Sequence, residues 1–309
     1  MQKKKFFIAG HNGMVGSALL RKLSSRKDIE IIKTEKSKLN LLNQNDTHNF
    51  LINTRPDVIL LAAAKVGGIK ANKNYQSDFL YQNLMIQNNV FNSAIKCGTS
   101  QILFLGSSCI YPRDCPQPIK EEYLLSGPLE PTNEGYALAK ISGLKLSKYL
   151  SNKYKIKFVC PMPCNLYGTN DCFDLENSHV LSALVKRFVD ATYSKIEKVE
   201  LWGTGSAKRE FLHVDDAADA FLMLLEKWDS ADHINVGSGK DIFIKELAYK
   251  IANLTGYKGD ISWEGSKLND GMPRKLLDIS KITELGFKPK ISLENGIKQM
   301  IISYRRSIT

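Results

Sequence analysis

The chain has 309 residues, 43% of them hydrophobic and 24% charged, which is room for one large core and a smaller companion. Its charge balance of +11 comes from lysines spread over the whole length; without an arginine-rich block or interleaved aromatics this excludes a nucleic-acid partner. No apolar run reaches membrane-spanning length, and the stretch after Lys3, Lys4 and Lys5 stops at Gly10, too short for a secretion signal, so the protein is expected in the cytoplasm and off the membrane.

Six cysteines at 97, 109, 115, 160, 164 and 172 have neither Cys-x-x-Cys nor zinc-like spacing. Reduced thiols and no metal site are expected. The elements then follow in alternation. Residues 5–9 read as a short apolar strand ending at glycines, 14–25 as a helix, 29–32 as a strand and 44–53 as a helix. Residues 58–63 form an unbroken apolar run, the pattern of a strand buried on both faces. A helix over 79–97 stops at Gly98, with a strand at 101–105, a helix over 134–152 and a strand at 155–159 following. This repeat predicts an α/β fold with a Rossmann-type, doubly wound parallel sheet.

Beyond Pro161 and Pro163 the pattern loosens, and Pro, Gly, Asn and Asp cluster up to residue 174. A helix over 179–192 and a strand at 199–202 follow, and residues 210–213 lead into Asp215, the expected N-cap of a helix to 227. Helices near 245–254 and 293–304 complete the chain. The expected division is a nucleotide-binding region of residues 1–165, with 208–238 returning to it, and a smaller mixed α/β substrate region of 166–207 and 239–309.

Gly10, Gly13 and Gly16 lie between the first strand and its helix, where a tight turn lets a pyrophosphate approach a helix N-terminus. After the second strand stand Lys33, Thr34, Glu35 and Lys36. The lysines favour a ribose 2′-phosphate and hence NADPH, whereas Glu35 offers an acceptor for a free 2′-hydroxyl. Ala62, Ala63 and Ala64 suit a segment lying along the cofactor. Tyr136 and Lys140, four residues apart, share one helical face, so the ammonium is expected to lower the phenol pKa. A strand-end serine, Ser107, then holds a carbonyl oxygen while tyrosine gives its proton, which is equipment for reducing a ketone.

Several strings occur together: 10–16, 61–69, 105–112, 130–134, Tyr136-x-x-x-Lys140, 165–168, 177–180, 209–216, 233–237 and 273–278. Together they resemble the extended short-chain dehydrogenase/reductase family, in particular its epimerase/reductases of GDP-4-keto-6-deoxy-mannose. The resemblance implies Ser107, Cys109, Tyr136, Lys140 and His179 as catalytic residues. Cys109 and His179 would be the base and acid that invert carbons 3 and 5, each acidified by the neighbouring ketone. In an extended chain Ser107 and Cys109 would point the same way. It further implies cofactor contacts from Gly10, Asn12, Gly13, Met14, Val15, Gly16, Lys36, Leu41, Ala62, Ala63, Ala64, Leu105, Gly106, Ser108, Lys140, Pro163, Asn165, Leu166 and His179. Arg187, Trp202, Arg209 and Asp278 are implied as contacts of a GDP-sugar, and a homodimer as the assembly.

The chain departs from the family pattern at Asn12 and Lys36, where arginines are usual, and at Gly135, where a proline is usual and glycine is expected to loosen the backbone. Cys164 and Thr169 also replace other residues. The expectation is an NADPH-dependent 4-keto reductase of a GDP-4-keto-6-deoxy sugar with epimerisation at carbons 3 and 5. The alternative is a reductase alone, acting on a related GDP-4-keto sugar such as a heptose.

Overall fold

The structure is a computed structural model that describes residues 3–175, 178–266 and 270–308. The chain opens with β1 (Lys4–Ala9), α1 (Met14–Leu23), β2 (Ile29–Ile32), α2 (Gln44–Thr54) and β3 (Val58–Leu61). It continues through α3 (Ile69–Asn74), α4 (Gln76–Cys97), β4 (Gln101–Phe104), α5 (Glu134–Tyr154) and β5 (Lys157–Pro163). Next come β6 (Asn165–Tyr167), α6 (Val180–Tyr193), β7 (Lys198–Leu201), β8 (Lys208–His213), α7 (Val214–Lys227) and β9 (His233–Val236). The last elements are β10 (Asp241–Phe243), α8 (Ile244–Thr255), β11 (Asp260–Trp263), β12 (Arg274–Lys275), α9 (Ser280–Glu284) and α10 (Leu293–Ile308).

Six strands form a parallel sheet in the order β2-β1-β3-β4-β5-β9. β3 and β4 are buried at every position, as their unbroken apolar sequences require of strands covered on both faces. The strand order turns back between β1 and β3, so the carboxyl ends of these strands open a crevice there. The glycine turn after β1 sits at that crevice. β5 runs on past Val159, where the sequence suggested it would stop. Pro161 cannot donate to the ladder, but its carbonyl still accepts from Gly106 N at 3.0 Å.

A second core gathers Tyr167, α6, α8 and α10 around Phe188, Ile251 and Ile297. β8 is the centre of a small sheet with β10, β12 and β6. Leu277, Ile282 and Phe287 belong to the first core, although the sequence assigned them to the substrate region. The helix after β8 begins at Val214 and not after Asp215. His213 is its N-cap, with Nδ1 accepting from Asp215 N at 3.2 Å. A buried imidazole can thus satisfy the orphan donor that an aspartate usually takes. Among the described residues no helix is long and apolar enough to cross a membrane. All six cysteines are free, and no described His, Cys, Asp and Glu cluster could hold a metal.

Candidate active site

One cleft of about 850 Å³ takes in the glycine turn, the Ser107 segment, the start of α5 and the inner wall of α6. At one end the backbone is folded tightly. Gly10 has φ +86°, and a Cβ there would press on the Ala62–Ala63 backbone; a Cβ on Gly16 would overlap the Gly10 carbonyl. These two glycines are therefore demanded by the chain packing on itself. Gly13 is different: it is the N-cap of α1 and supplies no side-chain hydrogen bond. The first turn of this ten-residue helix holds no acidic residue, so its free N–H groups and positive dipole end suit a pyrophosphate. The residues present thus fit a dinucleotide. At the edge of this end Asn12 Nδ2 donates to Glu35 Oε2 at 2.7 Å, and Lys36 is exposed.

At the other end α5 presents Tyr136 and Lys140 one turn apart. Lys140 is buried, and its Nζ donates to the Leu105 carbonyl at 2.8 Å. Burial pulls its pKa down to about 8. The Tyr136 phenol moves the other way, pushed up first by burial and then by the neighbouring charge of Cys109, with the Ser107 hydroxyl only partly offsetting them. The expected lowering of the phenol by the lysine is therefore not what this structure holds, because the ammonium is turned to a carbonyl. Tyr136 rests as a neutral phenol, which is the state of a proton donor.

Cys109 and Ser107 do not share a strand face. The chain leaves β4 extended at Ser107 and then enters a 3-10 turn over Ser108–Ile110, with Ser107 Oγ accepting from Cys109 N at 3.2 Å. The turn carries the thiol into a polar clamp. Lys275 Nζ lies 3.3 Å from Cys109 Sγ, and Asn133 Nδ2 donates to the same sulfur at 3.3 Å. Burial alone would raise this thiol. Lys275, the Ser107 hydroxyl and Arg209 outweigh burial, and the net pKa is lowered. His179 is the N-cap of α6 and makes no side-chain capping bond. Crowding by protein, then the Lys275 charge, lowers its pKa.

Arg187 reaches the Glu200 carbonyl at 3.0 Å and stacks 5.5 Å from the exposed Trp202 ring. Arg209 donates to the Asp270 carbonyl at 2.8 Å. Arg187, Trp202 and Arg209 line the cleft, as do all the residues implied for catalysis and cofactor. Asp278 does not: its Oδ1 accepts from Ser280 N at 2.9 Å and shapes the turn before α9. Asn177 lies outside the described residues. Lys275, Asn133 and Asp270 are cleft residues to which the sequence reading gave no role; Lys275 and Asn133 do lie inside two of the strings that carried the resemblance.

The chain matches the NAD dependent epimerase/dehydratase family over residues 6–237. It is 48% identical to the GDP-L-fucose synthase of Escherichia coli (strain K12) over 306 residues, 96% of this chain and 95% of that protein. Among solved structures it is similar to a GDP-6-OMe-4-keto-L-xylo-heptose reductase from C. jejuni, with TM-score 0.92 and 32% identity covering 100% and 99% of the two chains. A GDP-mannoheptose C4 reductase from Campylobacter jejuni, solved with NADP bound, has TM-score 0.89 and 35% identity over 99% of each chain. A glycine turn opening a helix with no side-chain cap, with a Ser–Tyr–Lys set across the same crevice, is thus found in a chain that belongs to the NAD dependent epimerase/dehydratase family.

Proposed function

We propose that the chain is an NADPH-dependent 4-keto reductase of GDP-4-keto-6-deoxy-mannose that also inverts carbons 3 and 5. The observation that carries this reading is the meeting, in one cleft, of Ser107, Tyr136 and Lys140 with a cysteine whose sulfur is held by Lys275 and Asn133. A pure reductase has no need of a thiolate. Removing a proton beside a ketone needs a base, and a thiol whose pKa is lowered by Lys275 can supply one. The named relatives support the GDP-sugar as substrate, and the NADP-bound relative supports the cofactor.

Gly13 and the first turn of α1 would hold the cofactor's pyrophosphate, and Ala62, Ala63 and Leu41 its adenosine side. Bound there, NADPH supplies the hydride that carbon 4 receives. The chain's own residues do the rest. The Cys109 thiolate takes the proton from a carbon next to the ketone, and His179 returns one. Ser107 and Tyr136 hold the enolate oxygen by hydrogen bonds. On reduction the Tyr136 phenol passes its proton to the oxygen on carbon 4, while Lys140 keeps the Leu105 segment in place. Arginine forks at 187 and 209 and the flat face of Trp202 suit the diphosphate and base of GDP.

Incubating the enzyme with GDP-4-keto-6-deoxy-mannose and NADPH in heavy water tests the reading. Deuterium at carbons 3 and 5 of the reduced product is the expected result. A reduced product with protium at both carbons overturns the epimerase part and leaves a reductase such as the heptose enzymes. We further infer a homodimer, with α4 and α5 as its contact, in the cytoplasm.

A further inference from the structure

β2 delivers an acidic side chain to the cleft where a dinucleotide's ribose is read. Glu35 stands three residues past the end of that strand, in the cleft wall with Thr34, Lys36 and Leu41. Its carboxylate is not left to rotate. Asn12 Nδ2 donates to Oε2 at 2.7 Å, and His11 Nε2 stands 3.3 Å from Oε1. Both partners come from the glycine turn itself. A negative charge is thereby fixed between the phosphate-binding turn and the adenosine end of the cleft. Lys33 and Lys36 are exposed, and among the described residues neither forms an ion pair.

The chemistry of the two nucleotides differs at one point. An ionised carboxylate only accepts hydrogen bonds. A ribose 2′-hydroxyl can donate to it, while a 2′-phosphate, carrying between one and two negative charges, is repelled. The flexible lysines attract that phosphate through water, where salt screens them. Resting on the nicotinamide-nucleotide reading above, we propose that Glu35, held by Asn12 and His11, reads the ribose 2′ position and admits NADH beside NADPH. The lysines keep NADPH binding; the carboxylate removes the strong preference for it.

Equilibrium titration tests this without turnover: nicotinamide fluorescence is followed as folded enzyme, free of sugar, is added to NADH or NADPH. The wild-type Kd for NADH is expected within about tenfold of that for NADPH. Glu35→Thr should tighten NADPH and weaken NADH, moving the ratio by about tenfold or more. Asn12→Ala, which frees the carboxylate, should move it the same way by less. Both positions are exposed, and unchanged melting of the variants checks their fold. A wild-type preference for NADPH above about tenfold, or a ratio that Glu35→Thr leaves in place, overturns the proposal while leaving the cofactor reading intact. If neither nucleotide binds, the cofactor reading falls, and this inference with it.

Discussion

Cys109 and Tyr136 share the same corner of the cleft, and burial acts on both in the same direction. They end on opposite sides of their ordinary pKa values because Lys275 lies 3.3 Å from the thiol sulfur, whereas the phenol meets the Cys109 charge and the Lys140 ammonium near its ring is hydrogen-bonded to the Leu105 carbonyl. Replacing Lys275 with Met should therefore let burial win at Cys109. Isotope exchange into carbons 3 and 5 at pH 7 should fall about tenfold or more and recover as pH is raised, since the thiolate forms later. An exchange limb that stays at the wild-type pH would show that Lys275 serves only to bind substrate. His179 gives the other limb. Its pKa is lowered by burial and by the Lys275 charge, so the protonated form that returns a proton is lost at a lower pH than for an ordinary histidine, and proton return should weaken as pH rises. Tyr136→Phe removes the donor for carbon 4, and hydride consumption should drop about 10²–10⁴-fold with NADPH binding kept. Unchanged NADPH consumption would remove Tyr136 from the chemistry.

The start of α5 depends on its neighbour helix. Gln76, the first residue of α4, accepts from Gly135 N through Oε1 at 3.0 Å and donates through Nε2 to the Pro131 carbonyl at 2.9 Å. Gly135 is buried, and a Cβ there would press on the Gln76 backbone. The glycine is thus pinned, where the sequence suggested a loosened backbone. Gly135→Pro would lose the donor and overpack the contact, at an expected cost of about 1–3 kcal/mol and a melting temperature lower by several degrees. A variant that melts like wild type would show that Gln76 does not position Tyr136. These contacts also mark where the sequence stopped being readable. Buried strands such as β3 and β4, and the spacing of Tyr136 and Lys140, are local patterns of burial and period, and they were legible. Whether Gly135 is loose or clamped, and which carbonyl Lys140 faces, depends on residues far away in the chain. β12 is two residues long and carries no periodicity, so Lys275 could not be brought to Cys109 from sequence. Asp278 is hard to read for a related reason: in sequence, a carboxylate that shapes a turn looks like one that binds a ligand.

At the scale of the molecule the two cores are joined through β8, whose adjacent residues face different ways. Arg209 lines the cleft, while the Glu210 carboxylate is fully buried and accepts from Gly239 N at 2.6 Å and Leu277 N at 2.9 Å. α4 and α5, which each turn some residues to the cleft, pack so closely that Gln87 Nε2 donates to the Ala139 carbonyl at 2.9 Å. On their outer surface Tyr81, Leu138 and Tyr149 are exposed. Leu138 and Tyr149 lie eleven residues apart, three helical turns, and therefore share one side of α5. Two such helix pairs brought together would bury these side chains as a four-helix contact while leaving both clefts free. The expected outcome is a dimer by light scattering at micromolar concentration. Leu138→Glu combined with Tyr149→Glu should place like charges in that contact and give monomers whose nucleotide affinity is unchanged. A wild-type protein that scatters as a monomer, or a double variant that stays dimeric, would move the contact away from this face.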